Sequence, residues 1–130
     1  MGIQIDGIEG EQKLFKVLMN AGYEYFQADA IGYKKGKYYV FEAKHQERFT
    51  PPPFEGHGLP QKQVKARLKF QNDTNVRCVF VVFEKGTNNL FFQYLDVLEE
   101  SKDFFDTKGK EPRRVYNLKN FYHKFYYNFL

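Results

Sequence analysis

Asp29-Ala30-Ile31-Gly32-Tyr33-Lys34-Lys35-Gly36-Lys37-Tyr38-Tyr39-Val40-Phe41-Glu42-Ala43-Lys44 is the stretch that decides the fold. Lys34-Lys35-Gly36-Lys37 is turn chemistry, and Tyr38 to Lys44 is rich in aromatic and β-branched residues that favour a pleated, half-buried surface. The stretch therefore predicts a β-hairpin, its first arm the end of an extended run from Tyr23 to Tyr33. Alternate residues of a strand share a face, so Glu42 and Lys44 project together while Ala43 points the other way. Asp29 falls on the neighbouring arm. Glu-x-Lys also occurs at Glu11-Gln12-Lys13 and Glu100-Ser101-Lys102, but only the middle copy lies on a predicted strand with a second acid beside it. Two carboxylates on adjacent strands suit a hard divalent cation that takes oxygen ligands and keeps exchangeable waters. A lysine beside them is placed to orient a water attacking a phosphate.

Outward from the hairpin, Ile8, Leu14, Phe15, Leu18 and Met19 recur at helical spacing between Gly7 and Gly22, where the glycine is positioned to cap an amphipathic helix. Glu47 to Pro60 contains Pro51-Pro52-Pro53 and Gly56-His57-Gly58 and reads as a surface loop, with His57 exposed on it. A helix is expected from Pro60 to about Phe70, with Gln61, Val64 and Leu68 on one face and the bases Lys62, Lys65, Arg67 and Lys69 available to phosphates. Val76 to Phe83 is almost continuously apolar, as in a central buried strand, and holds the only cysteine, Cys78, as a core residue. Asn89 to Tyr94 is its hairpin partner across Gly86-Thr87-Asn88, and Asp96 to Asp106 reads as a short acidic helix. Helix, strands, crossover helix, strands implies a mixed α/β sheet with helices on its faces.

The chain has 130 residues, enough for one domain spanning 1–130. Apolar residues at 42% and charged residues at 28% exclude a disordered chain, and no apolar run reaches the length of a membrane span. With no secretory signal pattern and a single cysteine, a cytoplasmic location is expected. The net charge is +4, and residues 110–130 hold all of it: Lys110, Arg113, Arg114, Lys119 and Lys124 stand against Glu111 alone. Tyr116, Phe121, Tyr122, Phe125, Tyr126, Tyr127 and Phe129 are interleaved with them. Such a segment suits a phosphate backbone with stackable bases, and equally a closing element packed on the core.

The motif Asp29, Tyr33-Lys-Lys-Gly-Lys-Tyr38, Phe41-Glu-Ala-Lys44 resembles the active-site hairpin of PD-(D/E)xK nucleases, and within them the RecU-type Holliday junction resolvases. The similarity runs from about Gly7 to Tyr94, with a weaker echo in the basic-aromatic tail. It implies a restriction-endonuclease-like core and a metal-dependent endodeoxyribonuclease acting on duplex or branched DNA. The metal would be Mg²⁺, with Mn²⁺ able to substitute. The implied ligands are Asp29, Glu42, the Ala43 backbone carbonyl and Glu11, with Lys44 assisting the water and Gln63 in support. Glu9 is an alternative to Glu11, and Gln61 to Gln63. The DNA contacts expected are Lys62, Lys65, Arg67 and Lys69 with Arg113, Arg114 and Lys119. A homodimer is expected because cutting two strands takes two single-strand sites. The stalk that RecU-type resolvases carry between the first helix and the catalytic Asp is missing, which makes a compact phage- or mobile-element-type endonuclease equally attractive. A nucleic-acid-binding module that has lost the chemistry is the alternative.

Overall fold

A computed structural model describes residues 2–23, 28–50 and 53–130, with the side chains of residues 2–8 and Phe15 left aside. In chain order the elements are α1 (Gly2–Asn20), β1 (Ala30–Lys34), β2 (Lys37–Gln46), β3 (Gly56–Pro60), α2 (Gln61–Thr74), β4 (Arg77–Glu84) and β5 (Asn89–Tyr94). α3 (Leu95–Glu100), β6 (Phe104–Asp106), β7 (Arg113–Asn117) and β8 (Tyr122–Phe125) follow, with short 3₁₀ turns at Leu118–Asn120 and Tyr126–Phe129.

Two sheets form. The larger has the order β1-β2-β4-β5-β8, and the smaller β3-β7-β6. β2 and β4 run parallel, and their connection carries α2 across the sheet face; the other pairings are antiparallel. This is the mixed α/β architecture that the element order implies, a central mixed sheet flanked by helices. Its core lies on one face of the large sheet, where Val40, Cys78, Phe80, Val82 and Phe91 meet Val64 of α2, Leu95 and Leu98 of α3, and Leu59 and Tyr116 of the small sheet. The strict alternation of buried and half-buried residues along β4 fixes this face.

Local chemistry sets the ends. α1 begins before the expected Gly7 and closes in a Schellman motif: Gly22 at φ +87° donates to the Met19 carbonyl and Tyr23 to that of Leu18. α2 outlasts the expected Phe70 by a turn and stops at Asn75, which adopts the left-handed conformation and donates to the Gln71 carbonyl. The extended run from Tyr23 narrows to Ala30–Lys34, with residues 24–27 outside the described residues, as are Pro51 and Pro52 of the expected loop.

Two expectations are corrected. Gly56-His57-Gly58 is a buried strand, β3, and no surface loop. A Cβ on Gly56 would lie 2.1 Å from the Tyr116 carbonyl oxygen, and one on Gly58 2.2 Å from that of Arg114, so only glycine lets β3 approach β7 this closely. His57 is accordingly fully buried. The acidic helix expected over Asp96 to Asp106 ends at Glu100, and Phe104–Asp106 is instead an edge strand, β6, paired with β7. The tail's aromatics divide between roles: Tyr116 and Phe121 are buried, whereas Tyr122, Tyr127 and Phe129 stay exposed.

Candidate active site

The β1–β2 register ends with Ala30 opposite Phe41, and Asp29 lies one residue beyond it, where its hydrogen bonds to the residues on either side of Glu42 set it beside that glutamate. Directly opposed residues of an antiparallel pair share a face and lie close. The Asp29 N–H donates to the Phe41 carbonyl at 3.2 Å, and its Oδ2 accepts from the Ala43 N–H at 2.7 Å. Lys44 follows on the same face, its Nζ 3.9 Å from Glu42 Oε1. Glu42 is buried while Asp29 is exposed, so the pair spans the boundary between core and solvent. Asp29, Glu42 and Lys44, singled out on strand periodicity, are thus brought together.

Arg67 belongs to this cluster as well. Its Nε donates to Glu42 Oε2 at 3.0 Å, and the residue is only 8% exposed. Sequence reasoning gave Arg67 to DNA phosphates on a solvated helix face; the structure turns it inward against Glu42. Its spacing of three from Val64, itself fully buried, was the available signal that it lies on the inner face of α2. Gln63 is one turn earlier on that face, and its buried Oε1 has no hydrogen-bond partner among the described residues. Gln61 is held elsewhere, donating to Asp106 Oδ2 at 3.0 Å. That separates the two glutamines: Gln61 belongs with the small sheet.

Other expected site residues are not gathered here. Glu9 and Glu11 are exposed on α1, and among the described residues no three His, Cys, Asp or Glu side chains form a metal-ligating group. Lys62 and Lys65 are exposed, Lys69 pairs with Asp73 at 2.9 Å, and Lys119 with Asp103 at 3.4 Å. Arg113 and Arg114 are committed inside the chain. Arg113 donates to the Gly58 carbonyl, while Arg114 forks onto Asp106, reaches Glu99 and lies over the Phe104 ring. The hydrogen bond that Arg114 donates to Asp106 leads the interactions that raise the Arg114 pKa, against the opposing effect of burial. Arg114 therefore closes the small sheet.

A second polar cluster went unread in the sequence. Glu84, opposite Gln46 on β4, accepts from Arg48 at 3.0 and 3.1 Å, from Asn89 at 3.0 Å and from Thr87 at 3.3 Å, and meets His57 Nε2 at 2.7 Å. Burial pushes its carboxyl up, but the hydrogen bonds from Arg48, Asn89 and His57 prevail and hold it at about 2. Burial lowers the His57 pKa despite Glu84.

The two carboxylates and the Ala43 carbonyl beside them are an oxygen donor set that suits Mg²⁺, a cation commonly held by one or two carboxylates with waters completing its shell. No protein-family model matches the chain, and no curated protein matches it. Among solved structures it is similar to Archaeoglobus fulgidus Hjc, a Holliday junction resolvase from an archaeal hyperthermophile. The identity is 10%, 90% of each chain is covered and the TM-score is 0.46. Among the described residues, no helix is long and apolar enough to cross a membrane.

Proposed function

We propose that the chain is a metal-dependent endodeoxyribonuclease of the PD-(D/E)xK type, a single nuclease domain over 1–130 that hydrolyses DNA phosphodiester bonds inside the cell. The observation that carries this reading is the meeting of Asp29, Glu42 and Lys44 on one sheet face, at the boundary between core and solvent. Asp29, Glu42 and the Ala43 carbonyl would hold Mg²⁺ or Mn²⁺, which supplies charge neutralisation at the phosphate and acidifies a water. Lys44 donates to the attacking water and orients it, and Glu42 holds the Lys44 ammonium in turn. Arg67 fixes the Glu42 carboxylate from behind, and Gln63 offers its free Oε1 to a water on the same side. The reading does not require Glu11.

Lys62 and Lys65 on the exposed side of α2 supply phosphate contacts, and a homodimer supplies the second strand's site. Without the stalk of RecU-type resolvases, binding to a linear or flapped duplex is expected within roughly tenfold of that to a four-way junction, a gap of about 1.4 kcal/mol. The Arg67–Glu42 contact favours one second reading, a nucleic-acid-binding module in which the arginine occupies the cation's place. Incubating the chain with flapped, duplex and junction DNA in Mg²⁺, in Mn²⁺ and in chelator separates the two. Metal-dependent cutting that Asp29→Ala removes supports the nuclease; tight binding with no cutting in either metal supports the module.

A further inference from the structure

The face of the hairpin that carries the carboxylates continues beyond them. Ile31 opposes Val40 and Tyr33 opposes Tyr38 on the face that carries Glu42, so these pairs run from the candidate site to the hairpin tip. At about 3.3 Å per residue, Tyr33 and Tyr38 lie about 13 Å along the strands from the carboxylates. Val40 is buried, yet Ile31 is 70%, Tyr33 65% and Tyr38 60% exposed. The two tyrosine rings meet at 5.0 Å, tilted by 54°. Lys35 and Gly36 both have positive φ, as a tight two-residue hairpin turn needs, so the tip is held firmly. Between Ala30 and Phe41 there are three lysines and no acid. Lys34 and Lys37 pair with each other on the reverse face, where together with Lys35 they line a cavity of about 830 Å³ whose described lining residues include no carboxylate. Exposed rings on the face that carries the proposed chemistry, with cations at the tip and on the reverse face of the same hairpin, fit a flexible polyanion that wraps the tip with accessible base faces better than they fit a closed duplex.

We propose that the β1–β2 tip is a recognition element for unpaired DNA, in which Tyr33 and Tyr38 stack on an unpaired base while Lys34, Lys35 and Lys37 contact its phosphates. The proposal rests on the nuclease reading for its choice of DNA, and it assigns the substrate class to strands opened at forks, flaps or branches. It also gives the compact chain an element where the stalk is missing. The last five residues of the Glu47 to Pro60 stretch are not available for this role, because they are β3 in the buried small sheet.

The test is fluorescence anisotropy of the full chain without divalent metal, at one salt concentration near physiological, on a blunt duplex and on the same duplex with oligothymidine arms. The wild-type chain is expected to bind the forked DNA roughly tenfold more tightly than the blunt one. Tyr33→Ala/Tyr38→Ala is expected to remove that preference and leave blunt-duplex affinity and melting temperature unchanged, and Tyr33→Phe/Tyr38→Phe to keep it. Absence of the preference in the wild type, its survival in the alanine pair, or equal loss on both DNAs overturns the proposal. So does a change confined to self-association, which would make the patch a protein interface. Cleavage in Mg²⁺ and Mn²⁺ is followed in parallel. A fork preference that depends on the tyrosines without any cleavage overturns the nuclease reading alone, whereas cleavage with no effect of the tyrosines overturns the hairpin role alone.

Discussion

Glu42 and Glu84 occupy the same buried face of neighbouring parallel strands, four residues apart along the sheet, and each is about as hidden from solvent as the other. Their surroundings differ in kind. Glu84 is enclosed by Arg48, Asn89, Thr87 and His57, so both of its oxygens are satisfied from within the chain. Glu42 has Arg67 on one oxygen and a long 3.9 Å approach from Lys44 on the other, and faces an exposed Asp29 across the hairpin. A buried carboxylate saturated with donors holds a fold together. One held beside a second carboxylate at the solvent boundary retains capacity for a cation and a water. Burial alone therefore does not mark a site; the number of lone pairs left uncommitted does.

The sharpest way to break this contrast is to exchange the consequences of the two glutamates. Glu42→Gln and Asp29→Ala are each expected to lower DNA cleavage by about 10²–10³-fold or more while the fold survives, measured as initial rates in Mg²⁺ beside thermal melts. Glutamine is the better change at Glu42, because alanine would take from the buried Arg67 the side chain that accepts its Nε–H. Glu84→Ala is expected to do the reverse and cost about 3–5 kcal/mol in urea unfolding, since Arg48 and His57 lose their common partner. A Glu84→Ala protein as stable as the wild type would erase the distinction.

Smaller effects sharpen it. Gly58→Ala is expected to cost about 1–3 kcal/mol, because the added methyl meets the Arg114 carbonyl of a paired strand that has little room to move. Acid should act through Glu84. Its carboxyl titrates at about 2 in the folded chain and near 4.5 when exposed, so the unfolded chain takes up the proton first as pH falls. The stability it contributes is complete above about pH 4.5 and is lost between there and about pH 2; Glu84→Gln should flatten that part of a pH–stability curve. Last, Lys62→Gln/Lys65→Gln is expected to lower the slope of log affinity against log salt by up to about two units. Changing Arg113 and Arg114 instead should loosen the small sheet, because those guanidiniums already serve Gly58, Asp106 and Glu99.

How much of this was legible in the sequence follows from the range of the interactions involved. The hairpin, α2 and the β4–β5 pair depend on local periodicity and turn chemistry, and each appears where those signals put it. So do Asp29, Glu42 and Lys44, since period two and a tight turn together fix which residues face one another. β3 was opaque for a physical reason: glycine, histidine and proline are loop chemistry unless a distant strand needs a backbone without side chains, and that strand, β7, lies more than fifty residues on. The same distance hid the burial of His57 and the commitment of Arg113 to the Gly58 carbonyl. Arg67 was misread because a basic residue on a polar helix looks solvated until its carboxylate partner on β2 is known.

The pairing of β3 with β7 also bears on how the chain reaches its native state. Apart from a local bridge between Gly56 and Phe49, β3 pairs with β7, His57 opposite Tyr116 and Gly56 opposite Asn117, so the small sheet is expected to close a long loop after the local hairpins and α2 have formed. Contacts of such sequence separation make folding slow, because chain entropy is spent well before the contact is gained. Until β7 arrives, β3 is an uncovered edge of bare backbone, open to pairing with a neighbouring chain. Refolding yield should therefore fall with protein concentration more steeply than the stability of the native state suggests, and the vulnerable species is the one in which the large sheet is built and the small one is not.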